Sequence, residues 1–265
     1  MPQIKFYCVT NKKVDFLKSD LFNFCWVGDG QPPKNYFTCN DKDNIFDREK
    51  FYSELTFHYW YWKNILPNET KKWVGFCQKR RFWIKSDTNE ETISIKNLNK
   101  FLLNEISNEL KSYDSFICSP ISVSGANKIK IIKRGWKNLI KDPTIILKPN
   151  KETISLHFDM HHGYKNLEKA IDLLDDENKN DFREYVNSRN FYNPHIMCIA
   201  RPDILNKWFN NLFPWLKRCE EEFGFKNLKG YDTQRLYAYL AERYLSYWFK
   251  KYTKFKELPW TLIEI

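Results

Sequence analysis

The stretch Trp73-Val74-Gly75-Phe76-Cys77 decides the fold class of this chain. Five uncharged residues in a row, with lysines on both sides, predict a short strand that is buried on both faces, as in a parallel sheet. Further apolar runs predict strands over residues 3–9, 24–27, 115–121 and 195–200. Helices are predicted over residues 51–65, 95–111, 164–175, 178–188, 202–223 and 232–250, and residues 122–163 are expected to be irregular. This alternation predicts an α/β fold, a mostly parallel sheet covered by helices, with a helical C-terminal part.

Composition excludes a disordered chain, because 42% of the 265 residues are hydrophobic and 17% are aromatic. No internal repeat and no Gly/Ser/Pro-rich linker is present, so we expect one domain over residues 1–265. The 46 aromatic side chains, Trp, Tyr and Phe together, exceed what a core of this size requires. This surplus indicates a ligand with rings, a sugar or a base.

The seven cysteines stand singly and far apart, which excludes a disulfide framework and a zinc site. We expect them to pack as small hydrophobes in a reducing compartment. Residues 1–5 do not begin a hydrophobic signal region, and no stretch approaches the roughly 18 apolar residues of a membrane span. The expected location is the cytoplasm, with at most peripheral contact with the inner face of the membrane.

The net charge of +10 admits a nucleic-acid binder, an anionic-membrane binder or an enzyme for phosphorylated substrates. A generally Lys-rich composition, unrelated to any ligand, explains much of this net charge equally well. The basic stretch 128–141 also favours an anionic membrane surface. The positions of the charges therefore matter more than their total.

Ligands of open α/β sheets bind beyond the carboxyl ends of the strands, so the residues after each predicted strand are candidates. These residues are Thr10-Asn11-Lys12, Gly28-Asp29, Gln78-Lys79-Arg80-Arg81, Ser119-Pro120 and Ala200-Arg201. Three of the five positions carry Lys or Arg, which predicts an anion site, most simply for a diphosphate. Arg80 and Arg81 favour a phosphate clamp, because guanidinium binds phosphate oxygens bidentately. A solvated basic turn is the alternative.

The predicted helix over residues 51–65 is aromatic almost all round, which predicts that it is buried on most sides. Helical spacing places Leu55, Tyr59 and Trp62 on one face. Packing against the sheet explains the rings, but Glu54 and Thr56 among them need polar partners. The Asp41-Lys42-Asp43 triplet lies in a polar loop before this helix, and His161-His162 does not have metal-ligand spacing.

The predicted helix over residues 232–250 carries the remaining candidates. Asp232 stands where the helix begins and is a natural N-cap. Arg235, Tyr239 and Glu242 share one face, next to an apolar face of leucines and tyrosines. Glu242 is either a partly buried base or an internal salt-bridge partner, and both interpretations stay open. The chain has no Walker loop, no GxGxxG and no GxSxG motif, which argues against the commonest nucleotide-hydrolysing, dinucleotide-binding and serine-hydrolase classes.

Taken in order, these motifs resemble a bacterial family long catalogued as a domain of unknown function in capsular-polysaccharide and O-antigen gene products, which includes galactofuranosyltransferases. The matching residues are Thr10 and Lys12, Asn44-Ile45, Glu54-Leu55-Thr56, Tyr59-Trp60, Trp62-Lys63-Asn64, Val74-Gly75, Cys77, Arg80-Arg81-Phe82, Asn193, Met197, Arg235 and Glu242-Arg243. Two of these motifs depart from the family. The family usually has His where this chain has Asn11, and His-Tyr-Arg-Arg where it has Gln78-Lys79-Arg80-Arg81.

The resemblance implies a GT-A-like glycosyltransferase that moves a sugar, with inversion, from a nucleotide-diphosphate donor to a glycan acceptor. The donor is expected to be a UDP-sugar, galactofuranose-type included, and the acceptor an oligosaccharide or a lipid-linked glycan of a capsule or lipopolysaccharide. Residues 1–125 would bind the donor, and residues 126–265 would form a helical acceptor half.

The resemblance also implies roles for residues. Donor binding is expected from Thr10, Lys12, Asn44, Glu54, Thr56, Tyr59, Trp62, Lys63, Asn64, Gln78, Arg80 and Arg81. Acceptor binding is expected from His195, Met197 and Arg235. The first choice of base is Glu242, followed by Asp232 and Glu54. No metal cofactor is expected, because Arg80-Arg81 stand where related transferases place an Asp-x-Asp metal motif; Mn²⁺ or Mg²⁺ dependence is the alternative.

Two other functional classes stay open. A nucleic-acid-binding module would use basic and aromatic residues interleaved on an exposed surface. No known RNA-binding signature is present, and nucleic acid is not an expected partner. A non-catalytic subunit of a polysaccharide synthase is the third possibility.

Overall fold

The computed structural model describes residues 4–17, 20–86, 93–125, 128–148 and 151–264, and strands and helices alternate within them. The strands are β1 Ile4–Thr10, β2 Phe22–Trp26, β3 Phe37–Thr38, β4 Trp73–Gln78, β5 Arg81–Trp83, β6 Ser115–Cys118, β7 Ile121–Ser122, β8 Phe191–Tyr192, β9 Cys198–Ala200, β10 Phe255–Leu258 and β11 Trp260–Leu262. Residue 3, where the first predicted strand begins, lies outside the described residues.

The helices are α1 Glu49–Tyr52, α2 Leu55–Asn64, α3 Leu98–Phe101, α4 Lys128–Arg134, α5 Trp136–Lys141, α6 Ile154–His162, α7 Asn166–Asp172, α8 Asp176–Ser188, α9 Pro202–Phe223, α10 Tyr231–Gln234 and α11 Leu236–Tyr252. Short 3-10 turns add Phe46–Arg48, Leu66–Asn68, Glu109–Ser112 and Pro143–Ile146.

The chain divides into two compact units, and two of the four boundaries between them fall inside α9 and α11. Unit 1 comprises Met1–Ser119, His195–Asn211 and Trp248–Ile265; unit 2 comprises Pro120–Pro194 and Leu212–Tyr247. Unit 1 contains the large sheet, whereas unit 2 is mainly helical and contains the β7–β8 pair. The expected roles of residues 1–125 in donor binding and of residues 126–265 in acceptor binding stay predictions.

The sheet of unit 1 has the strand order β10-β6-β9-β4-β1-β2-β3, with β5 joining β4 to β11. Strands β4, β1, β2 and β3 run parallel to one another, and β10 runs parallel to β6. Strand β9 is antiparallel to both of its neighbours, β4 and β6. The predicted α/β fold with a mostly parallel, helix-covered sheet is confirmed.

Close packing of the neighbouring strands requires a glycine at position 75, in the middle of β4. A Cβ atom at this position would lie 2.5 Å from the Phe6 ring on β1 and 3.1 Å from Ile199 Cγ1 on β9. Only a residue without a side chain lets these two neighbours cross the strand. Phe6, Trp73 and Ile199 are all fully buried, so β4 lies in the core as its sequence predicts.

One helix prediction is wrong, and two predicted helices are each interrupted once. Within 95–111 the described structure has only α3 and a 3-10 turn. Between them the backbone forms a hydrogen bond to β5 instead of continuing the helix, since the Leu103 amide donates to the Trp83 carbonyl at 3.0 Å. The predicted helix over 51–65 is two helices separated at Ser53, and that over 232–250 is interrupted at Arg235. In each case a local change of backbone direction overrides the helical pattern.

Two other regions also differ from the expectation. Residues 122–163 are not irregular, because the described part of this region contains α4, α5 and α6. Beyond the predicted last helix, β10 and β11 return to the sheet and pair with β6 and β5. These short strands lack an apolar pattern of their own, since only Leu258 is buried in β10.

The seven cysteines are free and buried, as expected of small core residues. The apolar face of α11 is also confirmed, with Leu236, Leu240, Tyr244 and Tyr247 all buried in unit 2. The rings of Phe182 and Tyr244 lie 5.1 Å apart there. None of the helices in the described ranges is both long and apolar enough to cross a bilayer.

Two buried histidines predict that acid weakens the fold. Burial lowers the pKa of His58 to about 3; burial, followed by the charge of Arg243, lowers that of His162 to about 3. An unfolded chain protonates His near pH 6.5, so between pH 6.5 and 3 the unfolded state binds more protons and the free energy of unfolding falls as pH falls. Each histidine contributes roughly 1.4 kcal/mol per pH unit well inside this window.

The measurement is urea unfolding at several pH values between 7.5 and about 4.5, where the two histidines together should cost roughly 5 kcal/mol. The variant His58→Phe replaces one ring by another, next to the Phe76 ring at 4.3 Å. It should remove about half of the dependence on pH between 6.5 and 4.5. An unchanged slope in this variant would contradict the assignment of His58.

Candidate active site

The carboxyl ends of β1, β2 and β4 meet at one edge of the sheet in unit 1. After β1 the Thr10 hydroxyl donates to the Lys12 carbonyl at 2.6 Å and accepts from the Lys12 amide at 3.0 Å. This turn leaves Asn11 and Lys12 exposed at the edge. Gly28 follows β2 with a φ of +89°, and a Cβ atom there would lie 3.6 Å from Asn11 Cβ. The ends of β1 and β2 therefore lie side by side at this edge.

Gln78, Lys79, Arg80 and Arg81 form the tight turn that joins β4 to β5 at the same edge. Arg81 Nη1 donates to Gln78 Oε1 at 2.9 Å, and Gln78 Nε2 donates in turn to Glu54 Oε1. Glu54 immediately precedes α2, so the chain of hydrogen bonds links the arginine to the aromatic helix. Glu54 therefore has the polar partner that its surroundings required.

Two features of this turn bear on anion binding. Arg80 Nε donates to the Ile263 carbonyl at 3.2 Å. Arg81 Nε is buried, and no acceptor for it exists among the described residues. A buried guanidinium N–H without an acceptor is costly unless a ligand or water satisfies it.

The two departures from the family's usual residues contact each other. Lys79 Nζ donates to Asn11 Oδ1 across the edge. The contact joins the turn after β1 to the turn after β4, and Lys79 adds a cation beside the two arginines.

The strand end at Ala200-Arg201 does not belong to this edge, contrary to the prediction. Because β9 is antiparallel to β4 and β6, Arg201 lies at the opposite edge. There its Nη2 donates to Asp114 Oδ1 at 2.5 Å. The Lys254 amide, which donates to Asp114, and the Arg201 guanidinium lower the pKa of the Asp114 carboxyl.

The same reversal brings the start of β9 to the carboxyl edge. His195 has a φ of +67°, and its ring lies 4.5 Å from the Trp260 ring. Met197 is fully buried in the core of unit 1. The role of both residues in acceptor binding stays a prediction.

The side chains of α2 position the polar loop that precedes the helix. The Tyr59 hydroxyl donates to Asp43 Oδ1 at 3.1 Å, and Trp60 Nε1 donates to Asp41 Oδ1 at 2.8 Å. Asn64 Nδ2 donates to the Asp43 carbonyl at 2.8 Å. Within the loop, Asn44 Nδ2 donates to the Lys42 carbonyl at 2.9 Å. Of the predicted donor-binding residues, Asn44, Tyr59 and Asn64 are therefore also the groups that shape this loop.

Trp62 and Lys63 lie on the less buried side of α2. The Lys63 ammonium stands 3.6 Å from the centre of the Trp62 ring, and Trp62 Nε1 donates to Asn206 Oδ1 at 3.1 Å. The other rings of the helix, Phe57, Trp60 and Tyr61, are buried. The prediction of a helix buried on most sides is confirmed.

Thr56 supports an unusual backbone turn before α2. Ser53 has φ +52° and ψ −129°, a conformation that is strained for any residue except glycine. The buried Thr56 hydroxyl donates to the Ser53 carbonyl at 2.8 Å. This contact holds the turn that directs Glu54 toward Gln78, so Thr56 acts on the edge through Glu54.

Unit 2 contains a second polar cluster around Glu242. The Glu242 carboxylate pairs with the adjacent Arg243, whose side chain is 1% exposed against 15% for Glu242. The Arg243 guanidinium lies 3.8 Å from the centre of the Tyr192 ring and 3.5 Å from His157 Nδ1. Burial, with the charge of Glu242, raises the pKa of Tyr192 to about 12. Glu242 is thus a salt-bridge partner, and the pair also leaves part of its carboxylate exposed.

The N-cap prediction for Asp232 is wrong. The N-cap of α10 is Gly230, and the Asp232 carboxylate instead accepts from Arg134 Nη1 at 3.1 Å. The Asp232 carbonyl contacts His162 Nδ1 at 2.7 Å. Arg235 is the residue at which α10 ends.

Sequence reasoning missed His157, Tyr192, Arg134 and Glu49. The first three surround predicted residues but are distant from them in sequence, so no local motif marks them. Glu49 is the exception in unit 1: it is the first residue of α1, and its carboxylate lies 3.7 Å from the position of a Gly28 Cβ. Within the described ranges, no group of three or more His, Cys, Asp and Glu side chains is arranged to hold a metal ion.

The chain resembles one solved structure and matches one family model. Curated proteins include no match to the chain. A solved apo structure of the bifunctional glycosyltransferase WbbM matches it with a TM-score of 0.77 at 21% sequence identity. The match covers 99% of this chain but 45% of that one, so the chain spans less than half the length of that protein. The model of the family described as "Domain of unknown function (DUF4422)" matches residues 5–254. The chain belongs to that family.

Proposed function

We propose that this protein is a glycosyltransferase that takes a sugar from a nucleotide-diphosphate donor. The observation that carries the proposal is the cationic turn at the carboxyl edge of the sheet, where Arg81 has a buried N–H for which the described residues supply no acceptor. The fold shared with a solved glycosyltransferase supports it. An open α/β sheet binds its ligand at this edge, and a diphosphate is the anion that such a cluster fits.

The electrostatic part of catalysis is assigned to fixed side chains. As the bond to the sugar breaks, negative charge grows on the departing nucleoside diphosphate, and preorganised cations stabilise that charge. Lys12, Lys79, Arg80 and Arg81 are the cations of this edge. We propose that they carry out the neutralisation that a divalent metal performs in other transferases, and that Tyr59 and Trp62 stack on the base or the sugar.

The proposed reaction is a single inverting displacement. An acceptor hydroxyl oxygen attacks the anomeric carbon, while the bond from that carbon to the diphosphate oxygen breaks and the electron pair leaves with the diphosphate. The hydroxyl proton passes to a carboxylate. Glu242 is the proposed base, with Asp232 second and Glu54 third. His195, Met197 and Arg235 are proposed to bind the acceptor.

The finer assignments rest on the resemblance given by the motifs. The proposed donor is a UDP-sugar, galactofuranose-type included, and the proposed acceptor is a growing capsular or lipo-oligosaccharide glycan. A reducing compartment is proposed as the location, supported by seven free and buried cysteines.

A thermal-shift screen tests the proposal directly. UDP, GDP, CMP and their common sugars are added to the protein in the presence of EDTA or of Mn²⁺. At about 100 times its Kd, a ligand that binds only the folded state adds about 2.7 kcal/mol, which corresponds to roughly 5–10 °C in Tm at this size. We expect one nucleotide to give such a shift, equal in EDTA and in Mn²⁺.

Other outcomes separate the alternatives. A shift that requires Mn²⁺ would contradict the cation proposal but preserve the transferase. No shift with any nucleotide, together with a salt-sensitive gel shift on random RNA, would favour a nucleic-acid-binding module. Nucleotide binding without turnover over a broad panel of donors and acceptors would favour a non-catalytic subunit.

A further inference from the structure

The segment of residues 128–148 in unit 2 forms a surface with three distinct rows. It contains α4, Gly135, α5 and the 3-10 turn that follows. The inner row has a packing role: Ile131 is buried and contacts Met160, and Leu139 packs against the same cluster. A Cβ atom on Gly135 would lie 2.8 Å from the Ile131 carbonyl and 3.3 Å from Met160 Cγ, so this glycine permits close packing.

The second row is apolar and points outward. Trp136 and Ile140 share one face of α5, and Ile132 lies on α4, just before Gly135. These three side chains are 52%, 72% and 51% exposed. Leu147, after the 3-10 turn, is 75% exposed. Ile140 and Leu147 are the two most exposed large hydrophobic side chains among the described residues. A row of exposed apolar groups of this kind marks a contact surface.

The third row is cationic and lies beside the apolar one. Lys133, Lys137 and Lys141 are exposed and follow at intervals of four. The Lys137 and Lys141 ammoniums lie 5.1 Å and 5.6 Å from the centre of the Tyr164 ring. Residues 128–148 hold seven basic residues and one acidic residue, so this segment carries a net +6 of the chain's +10.

We propose that these rows form a docking surface for an anionic lipid bilayer. Apolar side chains with a Trp insert at the boundary of headgroups and acyl chains, while neighbouring lysines remain at the level of the phosphates. Lysines near an anionic surface are attracted to it, and together with the apolar row this attraction provides the two signals that stable binding requires.

Charge and chemistry favour this occupant over two others. A nucleic-acid backbone would satisfy the lysines but would leave Ile132, Ile140 and Leu147 without an apolar partner. A second copy of the chain, paired through the same surface, would place two strongly positive patches against each other. An anionic bilayer satisfies the lysines and the apolar row at once. The inference is independent of the transferase proposal, because binding is measured without turnover.

Vesicle flotation of the full chain tests the surface. We expect binding to phosphatidylcholine vesicles that contain about one-third phosphatidylglycerol, little binding to pure phosphatidylcholine, and a loss of tenfold or more at about 500 mM salt. The variants Trp136→Ser with Ile140→Ser, and Lys133→Gln with Lys137→Gln and Lys141→Gln, should each bind at least tenfold more weakly.

Matched controls separate the surface from the overall properties of the chain. Phe191→Ser removes an aromatic side chain that is 51% exposed elsewhere in unit 2. Lys169→Gln with Lys217→Gln and Lys226→Gln makes the same change in net charge at other exposed positions. Both controls should stay within about twofold of the wild type, and all variants should keep its Tm, since they change surface residues.

Several results would overturn the proposal. One is wild-type protein that does not float with anionic vesicles. A second is equal loss of binding in the control variants. A third is RNA binding that depends on the lysine row but not on Ile140, without vesicle binding. A fourth is a concentration-dependent dimer that the Trp136→Ser and Ile140→Ser changes abolish, again without vesicle binding.

Discussion

Replacing Arg81 by Met is expected to lower kcat/KM for the nucleotide-sugar donor by roughly 100-fold or more. The substitution keeps much of the aliphatic stem but removes the charge and the N–H that lacks an acceptor among the described residues. Charge on the diphosphate is greatest as the bond to the sugar breaks, so kcat should fall as well as donor affinity. Binding of the free nucleoside diphosphate, measured by calorimetry, should weaken in parallel.

Three further variants separate the effect of the charge at position 81 from that of the planar guanidinium. Arg81→Lys keeps the charge but loses the planar fork, and should recover only part of the activity. Arg80→Met tests the neighbouring guanidinium, which bonds the Ile263 carbonyl. Arg189→Met alters an exposed arginine in unit 2 and should leave both constants unchanged. Equal nucleotide affinity and equal kcat/KM in Arg81→Met and wild type would reject the phosphate clamp.

Replacing Glu242 by Gln is expected to lower kcat by roughly 1,000-fold while the affinity for the nucleotide stays within about twofold. An amide cannot accept the acceptor's proton, but it preserves the size of the side chain.

The ion pair with Arg243 gives the same substitution a second effect that must be measured separately. Arg243 is 1% exposed, and loss of its carboxylate partner leaves a buried guanidinium unpaired, which costs up to about 3 kcal/mol of unfolding free energy. If Glu242 is only a salt-bridge partner, the variant will lose Tm but keep its kcat at low temperature. In that case Asp232→Asn and Glu54→Gln, measured in the same way, identify the base.

The sheet was largely predictable, because the apolar composition of its central strands marks them in the sequence. Strand β4 is an uncharged run, and β1 carries one charged residue, Lys5, among apolar ones. The positions of both strands agree with the prediction to within one residue. Strand direction was not predictable, since an apolar triplet such as β9 has the same pattern whether it runs parallel or antiparallel. The error about Arg201 follows from that one ambiguity. Strands β10 and β11 were missed because their pairing, rather than their apolar content, makes them strands.

The site was predictable where residues follow one another along the chain, and much less so where they meet through the fold. Thr10, Gly28 and Gln78 follow strands that lie side by side, so their proximity follows from the topology. The contact of Lys79 with Asn11 joins positions 68 residues apart, and that of Arg243 with His157 joins positions 86 residues apart. Side-chain orientation in unit 2 decides the second contact, and no spacing rule encodes it.

Unit 1 is built from three separate segments of the chain, and this affects the order in which it can fold during synthesis. Strand β6 pairs with β10, and β5 pairs with β11, across separations of well over one hundred residues. At about 5–20 residues per second, the ribosome therefore spends several seconds adding the last strands after β9 has been made. During that time β5 and β6 each present an open edge that another chain could pair with. The turn that holds Arg80 gains its partner at Ile263 only at the end of this interval. Completion of the proposed donor edge thus comes late in the folding of unit 1, because it requires strands that are made after β9.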